Sequence, residues 1–261
     1  NRRAPTAKKI YEELGVFSPI LKLTNEQSIS LENQLNKIDN ENEYKCFVVM
    51  RCWHPRAEDV LNNVKNYNPG EVILLPLYPQ YSAATSGSSI KEWKDICKKS
   101  NYKKKTSTIC CYPTESYFIK SHVNEIKKKI KDLKNYVLIF SAHGLPEKNI
   151  LKGDPYQWQV EQSVKNIVKD LNLDKLDWIL SYQSRVGPLK WIGPSTDDVI
   201  VQNSKIGKRI VIVPIAFVSE HSETLVELDI EYKELANING CKDYIRVPAL
   251  GTNPDFINSL S

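Results

Sequence analysis

Two hydrophobic periodicities take turns along this chain. Short, nearly continuous apolar runs lie at residues 44–50, 71–77, 106–111, 136–142, 178–182, 209–215 and 244–247. Runs of that length, rich in Val and Ile, predict strands buried on both faces. Between them, apolar residues recur every three or four positions at 5–15, 25–40, 55–67, 88–99, 113–134, 156–171, 195–206 and 253–260. That spacing predicts helices with one buried side. Pro55 falls where the first helical turn accepts it, and Gly15 with Ser18-Pro19 breaks the first helix. A further helix opens at Ser219, an N-cap residue with Glu220 and Glu223 behind it.

Strand, helix and strand in succession build a parallel sheet. The succession runs to about Lys134 and restarts at Tyr136. The expected fold class is therefore α/β, with two similar Rossmann-like lobes, each a parallel sheet flanked by helices, and a cleft between them. The lobes are expected at residues 1–134 and 135–240, with 241–261 adding a last strand and helix that pack back on the first lobe.

Composition narrows the class. The 261 residues suffice for one large or two ordinary domains, and 41% hydrophobic with 26% charged residues is a soluble, globular balance. No apolar stretch approaches the ~18 residues of a spanning helix. No initiator Met and no charged-then-apolar leader is present, so residue 1 reads as a processing boundary or a cut end. The net charge of +5 is uneven: Lys98, Lys99, Lys103, Lys104 and Lys105 crowd one loop, and Lys127, Lys128, Lys129 and Lys131 one helix. Neither cluster carries a nucleic-acid motif, so no nucleic-acid partner is expected. A solvated surface accounts for them, with attraction to an anionic membrane as the alternative. The six cysteines form no CxxC pair. Cys110 and Cys111 are adjacent and are expected to point to opposite faces of a strand. All six read as free thiols of a reducing compartment, not as a disulfide framework or zinc site.

Polar chemistry gathers at predicted C-terminal strand ends: Arg51, the Tyr78 loop, His143 and the acids after Ser219. Parallel sheets bring such ends to one rim. Glu223, Glu227 and Glu231 are spaced i, i+4, i+8, so a helix presents all three on one face, although like charges at that spacing weaken it. A solvated acidic face and a structural histidine are the plain readings. A track for a cation or protons is the functional one, because His143 and the acids share a crevice. No HExxH is present, so a resident zinc is not expected; the site suits a metal bound loosely and given up. The hydroxyl-rich 82–89 segment lacks the Lys of a P-loop, which argues against a nucleotide.

These residues carry a resemblance. The blocks RRAP (2–5), SPI (18–20), LPLYPQYS (75–82), TSGSS (85–89), FSAHGLP (140–146), KGDPYQ (152–157), YQSRVGP (182–188), WIGPSTDD (191–198) and PIAFVSEHSETLVELDIEY (214–232) make the chain resemble ferrochelatases over nearly its whole length. The resemblance implies a lyase that inserts ferrous iron into protoporphyrin in the terminal step of haem synthesis, releasing two protons. It implies that His143 is the active-site histidine and Glu223 its partner carboxylate across the cleft, on the opposite wall of the slot. Glu227 and Glu231 continue an acidic row for metal or protons, on a helix with a π-type turn. Metal contacts are thus implied for His143, Glu223, Glu227 and Glu231. Porphyrin contacts are implied for Arg3, Tyr11, Ser18, Arg51, Tyr156, Ser184 and Trp191, with Arg3 and Ser18 on propionates. No cofactor is implied beyond iron as substrate.

Departures from the family pattern accompany the match. Its first strand and Gly-Gly-Pro loop are expected before residue 1. The turn before Ser18 reads Gly15-Val16-Phe17, and Cys52 stands where an aromatic residue is common. Ser121 stands at the cysteine position of members that hold an iron–sulfur cluster, so no cluster is expected. The alternatives are a chelatase for another porphyrin such as coproporphyrin, or for another metal, and a non-catalytic tetrapyrrole- or metal-binding module. A monomer or homodimer, peripheral to a membrane or free, fits the same sequence. The compartment follows the source: cytoplasm in a bacterium, mitochondrion or plastid in a eukaryote.

Overall fold

A computed structural model describes residues 18–130 and 136–261. Its first sheet is small: β1 (Glu71–Leu74) pairs in parallel with β2 (Lys105–Thr108), Glu71 opposite Lys105 and Leu74 opposite Thr108. Helices α2 (Ala57–Tyr67) and α3 (Ser86–Lys99) bury Val60, Leu61, Val64 and Trp93 against it.

The second sheet is larger and organises the molecule. Strands β3 (Tyr136–His143), β4 (Asp177–Gln183), β5 (Arg209–Pro214) and β6 (Tyr244–Arg246) run parallel in the order β4-β3-β5-β6. Period-two alternation divides its side chains between two cores. Leu138, Phe140, Val211 and Val213 face a layer containing α4 (Ser116–Lys129) and α6 (Tyr156–Leu171), joined by Leu31 of α1 (Ile20–Ile38) and Phe256 of α10 (Pro254–Leu260). Val137, Ile139, Ile210 and Ile212 face α7 (Thr196–Lys205) and the helices after β5. These positions are fully buried, as the continuous apolar runs predict. A short α5 (Glu147–Leu151) precedes α6.

The strand order places the site. From β3 the chain goes outward to β4, then crosses back to β5 on β3's other side. The crevice between the ends of β3 and β5 is the topological switch point, where open α/β sheets take ligands.

Two local expectations fail and one is met. Residues 44–50 pair with no strand among the described residues; α1 side chains instead take backbone groups of Tyr44 and Cys46. Asn36 accepts from Tyr44 N–H and donates to Tyr44 C=O, and Glu32 accepts from Cys46 N–H. The π-type turn implied for the acidic helix is present: α8 (Ser222–Leu225) gives way to a π-helix at Glu227–Glu231 and then α9 (Tyr232–Ile238). The π register is fixed where Glu231 N–H donates to Val226 C=O, five residues back. Cys110 and Cys111 do not take opposite faces, because β2 stops at Thr108 and the pleat that alternates side chains stops with it.

Candidate active site

His143 closes β3 at the switch point, with its side chain 42% exposed. Its Nδ1 lies 2.6 Å from the Gly144 carbonyl oxygen. A carbonyl only accepts, so Nδ1 carries a proton and Nε2 is the nitrogen turned to the crevice. Nε2 faces Glu223 Oε1 at 3.7 Å. His221 repeats the arrangement: Nδ1 donates to Ser219 C=O at 3.1 Å, and Nε2 faces the other Glu223 oxygen at 3.5 Å. Two imidazole Nε2 atoms thus converge on one carboxylate. An unprotonated Nε2 beside a carboxylate would set acceptor against acceptor, so each contact calls for a proton or a cation.

The expectation that His143 and Glu223 stand on opposite walls is corrected. His143 ends β3 and Glu223 lies in α8, after the loop that leaves the neighbouring β5, and a 3.7 Å gap admits an ion but no macrocycle. With ligand bonds of roughly 2.0–2.2 Å for first-row metals, Nε2 and Oε1 at this separation can hold one ion together.

Electrostatics at Glu223 balance against burial. Burial alone raises its pKa, but the His221 hydrogen bond and the imidazoles of His143 and His221 together hold the carboxyl below the usual range. The half-exposed Tyr78 hydroxyl is pushed up by desolvation and by the charges of Cys52 and Glu223, with Arg51 opposing. Tyr78 and Arg51 are therefore electrostatic neighbours of this crevice. Arg51 itself lies 3.6 Å from Glu92, which also pairs with Arg56.

Glu227 differs in kind from Glu223. Its carboxylate accepts from Gln183 Nε2 at 2.9 Å, Ser184 N–H at 2.9 Å, Ser184 Oγ at 2.6 Å and Tyr232 Oη at 3.0 Å. Ser184 reaches it from a left-handed backbone, φ +57, a conformation that costs a non-glycine residue about 1–2 kcal/mol. Gln183 is fully buried opposite His143 in the sheet register. It accepts from Ser141 Oγ at 2.7 Å and donates to the Glu223 carbonyl at 3.0 Å. One amide therefore links the strand that carries His143 to both acids. Glu231, the last π-helix residue, is exposed.

The other expected residues divide. Tyr156 is buried and donates its hydroxyl to the His143 carbonyl at 3.0 Å, which makes it a support for β3's end. Trp191 packs on Gly144, where a Cβ would come within 3.2 Å of the indole and 2.9 Å of the Gln183 carbonyl. Only glycine allows that approach beside His143. Ser18 accepts weakly from Ile20 N–H at 3.4 Å, at the start of α1. Arg3 and Tyr11 lie outside the described residues.

The hydroxyl-rich loop does not offer its amides to an anion. Asp154 accepts from Ser82 Oγ and Ala83 N–H, and Gly87 N–H donates to Ser82 C=O. Sequence reasoning assigned no role to His221, Gln183 or Tyr232. His221 lies within the acidic block, and Gln183's partnership with His143 follows from strand register. Among the described residues, no set of three His, Cys, Asp or Glu side chains is arranged to hold a metal ion.

Comparison with known proteins adds the relatives. The ferrochelatase family profile matches residues 1–261. A ferrochelatase of Pelagibacter ubique is 74% identical over 261 residues, covering 100% of this chain and 76% of that protein. A ferrochelatase of Rickettsia felis is 50% identical over 260 residues, covering 99% and 74%. The solved structure of SirB from Bacillus subtilis with Fe3+ superposes with a TM-score of 0.68 over 92% of this chain and 87% of that one. At 14% identity that likeness shows the fold.

Proposed function

The chain belongs to the ferrochelatase family, and from that premise we propose which residues do its work. It is a metal chelatase, a lyase that inserts iron into a porphyrin for haem synthesis. The observation that carries the assignment of roles is the convergence of two imidazole Nε2 atoms on Glu223.

Metalation exchanges two pyrrole N–H protons for one ferrous ion. Bending the macrocycle frees a nitrogen lone pair from the ring plane, and binding energy from the rest of the porphyrin supplies the distortion. His143 Nε2 and Glu223 Oε1 meet the ion or take the departing proton, either of which satisfies the opposed acceptors. His221 holds the second Glu223 oxygen. Because His143 and Glu223 share one wall, the porphyrin lies against the pair and not between its members. Glu227, fastened by four donors, fixes the helix, while Glu231 extends the acidic row toward solvent as a metal or proton path. Tyr156 and Ser184 act by supporting the site. Arg51 and Trp191 line the porphyrin slot, and Ser18, with Arg3 and Tyr11, holds propionates and the ring edge.

Of the described residues, β1, β2, α2 and α3 make up one lobe and β3–β6 with their helices the other; α1 and α4 pack on the second sheet, so the boundary expected near residue 134 does not follow the packing. Residues 241–261 join the second sheet's layer and not the first, through β6 beside β5 and Asp255 of α10 bonding Lys120 and Asn124 of α4. Iron is a substrate, no cofactor is resident, and no iron–sulfur cluster forms; Ser121 is a buried hydroxyl that donates to Phe118 C=O. The relatives are bacterial, which favours a cytoplasmic enzyme, monomeric or homodimeric, with peripheral membrane contact.

The test is His143→Ala with porphyrin absorbance followed during metal addition and porphyrin affinity measured by fluorescence quenching. Metal insertion is lost while porphyrin still binds. Retained turnover removes His143 from the reaction.

A further inference from the structure

We propose that Cys110 and Cys111 form a vicinal dithiol that closes to a disulfide by exchange with small disulfides. Their sulfurs lie 2.9 Å apart, on one side of the chain, just beyond the end of β2. The segment is held at both ends: Ile109 N–H donates to Leu74 C=O, and Tyr112 N–H donates to Pro79 C=O. The two intervening residues lie outside the ladder, which frees their side chains from strand alternation.

The two sulfurs differ in surroundings. Cys110 is exposed, whereas Cys111 is half-buried and its sulfur accepts from Gln159 Nε2 at 3.4 Å. Burial, with the Cys110 contact adding and Gln159 opposing, pushes the Cys111 thiol up to about 11. Cys111 is therefore protonated at neutral pH, and the solvent-facing Cys110 attacks first. Its thiolate attacks one sulfur of RS–SR, forming the Cys110–SR mixed disulfide and releasing RS⁻. Cys111 then gives its proton to solvent and attacks Cys110 Sγ, expelling the second RS⁻. Two protein thiols lose two electrons, and RS–SR is reduced to two RSH. Gln159 also accepts from Tyr81 N–H through Oε1 at 2.7 Å, so the pair adjoins the loop of residues 78–82.

The experiment uses the whole chain carrying Cys52→Ser, which removes the other exposed thiol outside the pair. It is reduced, desalted and incubated with oxidised glutathione, and products are read by intact mass and peptide mapping. The expected product lacks two hydrogens, carries no glutathione, and maps its bridge to residues 110 and 111. Adding Cys111→Ser arrests the reaction at a glutathione adduct on Cys110. Phenylarsine oxide, which bridges paired thiols, protects both cysteines from alkylation only when both are present. A stable adduct on Cys110 with Cys111 intact, a bridge to a different cysteine, or no reaction overturns the proposal.

Discussion

The orientations of His143 and His221 carry the chemistry, because each backbone carbonyl claims Nδ1 and turns Nε2 toward Glu223. A hydrogen bond at the far ring nitrogen is the usual device for aiming a histidine at a cation. Gln183 is the residue on which that aim rests. Gln183→Leu strips a partner from Ser141, from the Glu223 carbonyl and from Glu227, all partly or fully buried. Urea unfolding is expected to show a loss of roughly 1–3 kcal/mol per unsatisfied group, tempered by relaxation. The rate of metal insertion is expected to fall further than porphyrin affinity. His122 offers a second residue-scale test. Both ring nitrogens are buried without hydrogen-bond partners among the described residues, edge-on to Phe118, and burial pushes the pKa down to about 3. The unfolded imidazole takes its proton near pH 6.5, and the native one does not. Stability from this group is therefore whole above that pH and erodes as pH falls toward 3. His122→Leu is expected to flatten the decline in urea midpoint between pH 7.5 and 5; an unchanged slope contradicts the assignment. His143 was legible as a polar residue closing a predicted core strand, and Glu223 as the first of a row of acids in the helix after the run at 209–215; their pairing came from the family resemblance. The fastening of Glu227 was not legible, since it depends on the backbone angle at Ser184, which no spacing encodes.

At the scale of elements, the acidic helix repays the closest reading. Three glutamates at i, i+4, i+8 describe an α-helical face, but the π register from Glu227 to Glu231 winds that face differently. On the helix's other side, Arg246 of β6 grips Asp229 with two bonds of 2.6 and 2.7 Å and Glu220 with one of 2.7 Å. Burial opposes the charged Glu220, but Arg246 and the Ala249 amide hold its carboxyl low. Removing one partner of a buried pair costs about 3–5 kcal/mol. Asp229 and Glu220 are partly exposed, so Arg246→Met is expected to cost nearer 2–3 kcal/mol by the same reasoning. Differential scanning calorimetry checks this; a loss below about 0.5 kcal/mol reduces the contact to an ordinary surface pair. The strand expected at 44–50 shows where periodicity ends. Its apolar content suits a strand, but pairing is a tertiary matter, and Asn36 and Glu32 reach its backbone first.

For the whole molecule, the arrangement of β4-β3-β5-β6 is what turns two separated motifs into a site. The α/β class and the parallel order were readable from alternating runs. That α4 covers the second sheet and not the first was not readable, because its apolar face is equally able to cover either. Nor could sequence order say that His143 and Glu223 are neighbours on one wall, since that follows from β5 lying directly beside β3. The account therefore turns on one pair of side chains at one switch point. Glu223→Gln keeps the shape of the side chain, removes its charge, and sets an amide NH2 against one of His143 and His221 and a carbonyl oxygen against the other. The decisive measurement is the anaerobic initial rate of ferrous insertion by this variant, with porphyrin affinity determined alongside. Proton transfer by a placed side chain contributes about 10²–10⁴-fold, so the account predicts a rate at least a hundredfold lower with affinity little changed. A rate close to that of the unaltered chain contradicts it.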